Sequence, residues 1–500
     1  MNKEGSTLEQ IVQQETHEQS RERLQEIETR TLFEIREGEY PSFQEVTISP
    51  SQGKVSFVDV NRDDFQRVVV FNGQEVEVGE EFFDIKQFNW GGIDDSYIYL
   101  GSRRHPEMPL LNNSLRDRRD NPLPYDVLVL NNENWAEGFL LEKPTIRPDS
   151  DSFAYSESIY ERSRKRSFAV IDEMNTREYD NSTEEITSLM YSGDSKKAAY
   201  ISRRQRFNDT FLTTIDLEKE IPKGIKHQIN GATEAVFANN NQDIFSLSHH
   251  TVNKNNERVY VTPNIDDRRG WKYKKLAVAP DSEQLAYIKE GNDALTMKDP
   301  WRGNKREGKR RAYHDLMTFI IDDFEFKDSF VNLEEITWAP NSEYVVAKST
   351  LQMFDVKHFR GDKTGHEEIE KKVSAIKFRK IGEEEELLPG KTYDDLCCIA
   401  VSSSSEHLAY FAYEGTDIIL VFDDLEIPLD LKKDADPEKN KPLSMKFEEK
   451  EEDEGKTEYL EIAYKKGREI IKKKFKIKMT KQEQNAVEEW QTELEEGLFS

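Results

Sequence analysis

The ten residues APDSEQLAYI, from Ala279 to Ile288, join a tight polar turn to a short apolar strand. Pro280 fixes φ at the first corner of the turn, while Asp281 and Ser282 tolerate the second corner and bond their own backbone. The residues that follow, Leu285 to Ile288, have the composition of a buried strand. The pattern recurs along the chain as SPSQGKVSFV at Ser49, GGIDDSYIYL at Gly91, RPDSDSFAYS at Arg147 and SGDSKKAAYI at Ser192. It returns as ANNNQDIFSL at Ala238, APNSEYVVAK at Ala339 and SSSSEHLAYF at Ser402.

Between equivalent turn positions (Pro50, Gly92, Pro148, Gly193, Asn239, Pro280, Pro340 and Ser403) the spacing runs from about 41 to about 63 residues, the period of a β-propeller blade. Alternating, β-branched segments flank each turn: EEITSLMYS or EEITWAP before it, and YDVLVLN, SFAVIDE, TFLTTID, MTFIIDD or IILVFDD beyond it. RVYVTPN reads in the same way, and EEFFDIKQF, residues 80–88, reads as an outer fourth strand. The copies APDSEQLAY and SGDSKKAAY resemble the TolB-like, WD-type propeller repeat, in which a Ser-Pro-Asp-Gly turn precedes Lys, an apolar residue, Ala and Tyr. The resemblance extends from about Ser42 to about Asp423. The fold expected is all-β, a β-propeller of eight blades with seven as the alternative. The resemblance further implies that one blade combines strands from both chain ends. TEYLEIAYKKGREIIKKKFKIKM, Thr457 to Met479, is a hairpin candidate for that role, turning at Lys465, Lys466 and Gly467.

Around the propeller, taken as 32–479, two helical extensions are expected. Residues 1–31 lack Pro, are rich in Glu, Gln and Arg, and carry a sparse stripe of Leu8, Ile11, Val12, Leu24 and Ile27. In 480–500, Thr480 is placed to cap a helix along which Val487, Trp490 and Leu494 recur. The charged run 434–456 reads as a loop.

Composition narrows function. A net charge of −27 over 500 residues opposes a protein that coats nucleic acid or acidic membrane with its whole surface. No segment approaches the ~20 apolar residues of a membrane span. With no leader-like h-region, a reducing, cytoplasmic compartment is the default expectation. The two cysteines, Cys397 and Cys398, are sequence neighbours for which a relaxed disulfide is disfavoured. They read as part of a buried strand, with no metal, redox or cofactor role expected.

No G-x-S-x-G elbow, P-loop, H-E-x-x-H or paired C-x-x-C motif occurs. His249 and His250 are adjacent, and on a strand they would face opposite ways. The residues after Asp423 are too few for the hydrolase domain that accompanies propellers in prolyl oligopeptidase-like enzymes. The chain is therefore expected not to be an enzyme, with an enzyme whose site lies in the central channel as the lesser alternative.

Positive charge, by contrast, is concentrated where the loop after each blade's second strand should fall, opposite the tight turns. The second repeat has Arg103, Arg104, Arg116, Arg118 and Arg119, and the third has Arg162, Arg164, Lys165 and Arg166. The fourth has Arg203, Arg204 and Arg206, and the sixth has Arg302, Lys305, Arg306, Lys309, Arg310 and Arg311. Lys357, His358, Arg360 and Lys363 follow in the seventh. Arginine forks favour carboxylates and phosphates, so a basic rim on an acidic body is expected to hold a protein partner, with nucleic acid or another polyanion as the alternative. Aromatic interleaving is modest (Tyr160, Phe207, Trp301, Tyr313), which does not suggest base stacking.

Overall fold

The computed structural model describes strands and most tight turns between residues 24 and 477. Residues 1–23 and 478–500, the longer connections 35–43, 61–66, 76–83, 104–124, 176–184, 262–271, 297–310, 356–366 and 434–439, and scattered shorter stretches lie outside the described residues. Among the described residues there are nine four-stranded sheets and no helix. Eight are meanders, each strand pairing with the next in sequence, at 44–75, 84–139, 141–175, 185–228, 232–261, 272–330, 332–393 and 395–432. These are sheets 1 to 8 below, and each has the strand order of a propeller blade. Sheets 1 to 7 lie in the compact unit Ile35–Thr392. The other unit, Met1–Glu34 with Tyr393–Ser500, holds sheets 8 and 9.

Every one of the eight turns joins the first strand of a sheet to its second, and where the turn residues are described the geometry repeats. In sheet 6 the Ala279 N–H donates to the Gln284 carbonyl and the Ser282 N–H to the Ala279 carbonyl, both at 2.9 Å. The fourth turn residue is left-handed: φ is +60° at Ser195, +57° at Asn241, +65° at Ser282, +62° at Ser342 and +65° at Ser405. A serine there is strained, and bonds on both sides of it offset the strain. Its buried hydroxyl also accepts a backbone N–H from the turn of the preceding sheet: Asp149 to Ser195 at 3.1 Å, Asn240 to Ser282 at 3.0 Å and Asp281 to Ser342 at 3.0 Å. The Asp before it closes an Asx turn, with Asp281 Oδ1 accepting from the Glu283 N–H at 2.8 Å. Pro-Asp-Ser is thus both a turn and a link to the neighbouring sheet.

One link departs from the pattern. Asn241 stands where its neighbours have serine, and a Cβ on Gly193 would lie 3.0 Å from Asn241 Oδ1. Gly193 is the residue that leaves room for the longer side chain. Gly193→Ala should therefore destabilise the protein by about 1 kcal/mol through overpacking. In an Asn241→Ser background the same change should turn neutral or stabilising, because only the loss of unfolded-chain freedom remains. A double-mutant cycle in urea measures the coupling, and additive effects would show that the two positions are independent.

All nine first strands carry an extra residue opposite the second strand, a β-bulge. At Lys275, Glu335 and Cys398, in sheets 6 to 8, the bulge residue is itself left-handed. Bulges re-aim side chains locally, and non-glycine residues at positive φ are uncommon enough to mark these positions.

Consecutive sheets within a unit bury one another's apolar faces. Ala154, Ala169 and Ile171 of sheet 3 meet Ile186, Ala198, Tyr200 and Ile215 of sheet 4. Phe319, Phe326 and Phe330 of sheet 6 meet Val345, Ile376 and Phe378 of sheet 7. No sheet could bury both faces alone, which is why the blade-length repeat must recur.

Sheet 9 corrects the reading of both chain ends. Its strands are Asn440–Glu452, Gly455–Lys466, Glu469–Ile477 and, as the outer fourth, Leu24–Glu34. The hairpin expected over 457–479 is present, with Gly467 at φ +62°, and the sheet does combine both chain ends. Of the helix expected over 1–31, residues 1–23 lie outside the described residues, and Leu24 onward is a strand running antiparallel to Glu469–Ile477. Its glutamates lie along a lysine-rich edge, with Glu26 2.8 Å from Lys473, and Ile27, at a bulge, is exposed whereas Leu24 is buried, so these two residues of the expected stripe do not share a buried face. The loop expected over 434–456 is a strand from Asn440 to Glu452, because its alternating Lys and Glu pair across the sheet: Lys456 with Glu449 at 2.7 Å and Lys476 with Glu452 at 2.8 Å. The helix expected over 480–500 lies outside the described residues. Farther up the chain, Asp84–Trp90 is the first strand of sheet 2 and not an outer strand. Its Phe88 and Trp90 rings, 5.2 Å apart, pack in the core.

Candidate functional site

The connections from second to third strand span 104–124 in sheet 2, 162–163 in sheet 3, 205–208 in sheet 4, 297–310 in sheet 6 and 356–366 in sheet 7. Topology therefore puts the basic residues at the strand ends opposite the Pro-Asp-Ser turns. Arg103 ends a second strand opposite Tyr125. Arg164, Lys165 and Arg166 open a third strand opposite Glu161, Tyr160 and Ile159. Arg203 and Arg204 end the second strand of sheet 4 opposite Thr210 and Asp209, and Arg311 opens a third strand opposite Thr296. Arg104, Arg116, Arg118, Arg119, Arg162, Arg206, Arg302, Lys305, Arg306, Lys309, Arg310, Lys357, His358, Arg360 and Lys363 lie outside the described residues, as do His249 and His250.

Sheet 4 shows how such an end is built. The Arg204 guanidinium lies 5.0 Å from the centre of the Phe211 ring, and the Lys226 ammonium lies 4.3 Å from it. Register puts Phe211 opposite Ser202 on one side and Gln228 on the other, so one aromatic ring supports two cations near the strand end. Arg203 is exposed.

Behind these residues the seam between sheets 3 and 4 changes from apolar to hydroxyl-lined. Ser158 and Ser167, paired across strands, share a hydrogen bond of 2.8 Å, and Ser156, Ser202 and Thr213 are buried beside them in register. The Ser202 and Thr213 hydroxyls make no hydrogen bond among the described residues. Their sequence signal was visible only as small polar residues inside otherwise apolar strands.

At the turn end, first strands of sheets 4 and 5 border an open cleft of about 500 Å³ lined by Ser188, Met190, Gly193, Phe237, Asn239 and Asn241. Nearby, the Tyr191 hydroxyl donates to Asp172 at 2.6 Å and Arg147 pairs with the same carboxylate at 3.0 Å. Burial first, then the Asp172 bond, pushes the Tyr191 hydroxyl well above the usual tyrosine range, so it stays a neutral donor. On the first strand of sheet 5, burial raises the Glu234 carboxyl, and the Leu276 N–H and Lys275 only partly offset it.

The sequence missed a second repeated device. A left-handed Asn or Asp follows the third strand, with φ of +46° at Asn131, +49° at Asn255, +56° at Asp322 and +46° at Asp423. Its side chain accepts the N–H that opens the second strand: Tyr97 to Asn131 at 3.0 Å, Ile244 to Asn255 at 2.9 Å, Leu285 to Asp322 at 2.9 Å and Leu408 to Asp423 at 2.9 Å. The Asn-Asn or Asp-Asp that follows the third strand of sheets 2, 5, 6 and 8 was the signal in the sequence. His407, the buried histidine, belongs to this device: its Nδ1 lies 2.6 Å from Asp423 Oδ2 and its ring stacks on Phe422. Among the described residues no three His, Cys, Asp or Glu side chains form a group fit to hold a metal, and no helix is long and apolar enough to cross a membrane.

No family model matches the chain, and no curated protein sequence matches it. Among solved structures it is similar to the β-propeller domain of the trilobed protease from Pyrococcus furiosus (8% identity, TM-score 0.30, 80% of this chain and 96% of that one). It is also similar to the β-propeller domain of Cps50 (Swd1) from Myceliophteria thermophila (10% identity, TM-score 0.30, 67% of this chain and 95% of that one). Acylaminoacyl peptidase from Pyrococcus horikoshii matches at 11% identity and TM-score 0.29, over 56% of this chain and 48% of that one. Likenesses of this size carry nothing about activity.

Proposed function

We propose that the protein is a non-catalytic, cytoplasmic interaction scaffold whose blade-type sheets hold out a set of arginine-rich connections to an acidic segment of a partner protein. The observation that supports this most is topological. Basic residues in sheets 2, 3, 4 and 6 sit at the same end of the same strand pair. Arginine outnumbers lysine among them, and a planar fork suits bidentate contact with carboxylates. The rest of the molecule carries a net charge of opposite sign, which orients an acidic segment toward the basic connections and weighs against a nucleic acid lying over a broad surface.

The test neutralises Arg162, Arg164, Lys165 and Arg166 together with Arg302, Lys305, Arg306, Lys309, Arg310 and Arg311. Affinity purification from the native cell, with intact and neutralised protein side by side, is expected to lose the specific partners of the intact protein. Recovery of the same partners by both proteins rejects the proposal. Retardation of RNA or DNA at low salt, abolished by the same substitutions and falling steeply with salt, would move the assignment to nucleic-acid binding.

A further inference from the structure

The two cysteines, expected to be inert strand residues, occupy an unusual backbone. They lie half-buried in the first strand of sheet 8, Asp395–Val401, and are not joined in a disulfide. Cys397 pairs with Phe411, whereas the next paired residue is Ala400 opposite Ala409, so Cys398 falls in the bulge. On a regular strand consecutive side chains point to opposite faces. Here Cys398 has φ of +57°, and both cysteines pack against the same apolar cluster between sheets 8 and 9. The bulge thus interrupts the regular alternation at the point where the two thiols stand.

Two further groups share that cluster. Tyr413 lies within hydrogen-bond reach of Cys397 and interacts with Cys398 as well. Met445, on the first strand of sheet 9, packs half-buried against the same cluster as both cysteines. Both cysteines, Tyr413 and Met445 thus belong to the half-buried margin of one apolar cluster. Thiolate and thioether sulfurs select soft cations, whereas zinc in a closed site takes four ligands and calcium or magnesium takes oxygen.

We propose that Cys397, Cys398 and Met445 form a soft-sulfur site that takes a single thiophilic cation of the Cu(I) class. Binding forms metal–sulfur bonds to both thiolates, whose two protons pass to solvent, and involves no change of oxidation state. The left-handed residue in the bulge aims the second sulfur, while the thioether favours Cu(I) over harder ions.

Anaerobic competition of the reduced, full-length protein against a chromophoric Cu(I) chelator tests the site. One ion per chain should be withdrawn from the chelator. Cys397→Ser and Cys398→Ser should each abolish withdrawal, Met445→Leu should weaken it, and excess zinc should not displace the ion. A readout on the unaltered protein guards against variants that fail to fold: with Cu(I) present, both cysteines should resist alkylation by iodoacetamide, measured by peptide mass spectrometry. The proposal is overturned if the unaltered protein withdraws no Cu(I), if either serine variant withdraws as much as the unaltered protein, or if either cysteine alkylates equally well with the ion present.

Discussion

Phe378→Ala is expected to lower the stability of the 35–392 unit by about 3–5 kcal/mol, the range for removing a fully buried aromatic side chain. Phe378 is completely buried in the third strand of sheet 7, where it lies opposite Val345. Its ring stacks on Phe319 of sheet 6 at 4.2 Å and meets Phe326 and Phe330 edge-on at 5.1 and 5.7 Å. Three rings from one sheet thus converge on a single ring of the next. Truncation would leave a cavity that rigid strands on both sides cannot close. Because each sheet is stabilised chiefly by its neighbours, loss at this seam should weaken both sheets together. Urea denaturation followed by near-ultraviolet circular dichroism reads the effect, and Phe378→Leu should recover part of it by refilling the space. A change below about 1 kcal/mol for Phe378→Ala would mean that the seam is dispensable.

The blade repeat could be read from sequence because its signal is local. Pro148, Pro280 and Pro340 fix φ, Asp281 and Asn341 close Asx turns, and four or five apolar residues follow at once. What binds one turn to the next escaped because it joins residues about a blade apart: nothing local shows that Ser342 accepts from Asp281, or that Gly193 makes room for Asn241. The outer fourth strands were equally hidden. Gly224–Gln228 exposes Ile225 and shows no apolar alternation, and its partner strand decides its conformation. The hairpin of sheet 9 was legible, but its strands Asn440–Glu452 and Leu24–Glu34 escaped because no polar turn of the repeated kind marks them. In its place Glu458 reaches the turn of sheet 8, accepting from the Ser403 hydroxyl at 2.7 Å and the Ser404 N–H at 2.9 Å. The basic connections were legible as composition and as strand position. Their support by Phe211 and by a hydroxyl-lined seam was not, because that depends on register between strands.

Sheet 9 also holds the charge arrangement with the clearest consequence for stability. Glu461 is 4% exposed and faces three ammonium groups, Lys472 at 2.9 Å, Lys474 at 3.0 Å and Lys446 at 3.4 Å. Lys474 continues to Glu448 at 2.7 Å and lies 4.5 Å from the centre of the Tyr459 ring. Burial opposes ionisation of Glu461, but bonds to Lys472 and Lys474 outweigh it and hold the carboxyl at about 2. A folded-state value below the ordinary 4.5 means that the contribution is complete above the unfolded value and is lost as pH falls from about 4.5 toward about 2. Converted through linkage, that contribution is on the order of 3 kcal/mol. Glu461→Gln preserves size but leaves buried ammonium groups without their central counter-charge, so near neutral pH it should cost about 3–5 kcal/mol. Below pH ~3 the penalty should shrink, because the unaltered protein is then losing the same charge. Chemical denaturation across the acid range measures both effects. A Glu461→Gln penalty that stays constant from neutral to acid pH would show that the side chain acts through packing and that its charge is incidental, whereas convergence of the two curves assigns the stabilisation to the ion network joining the strands of sheet 9.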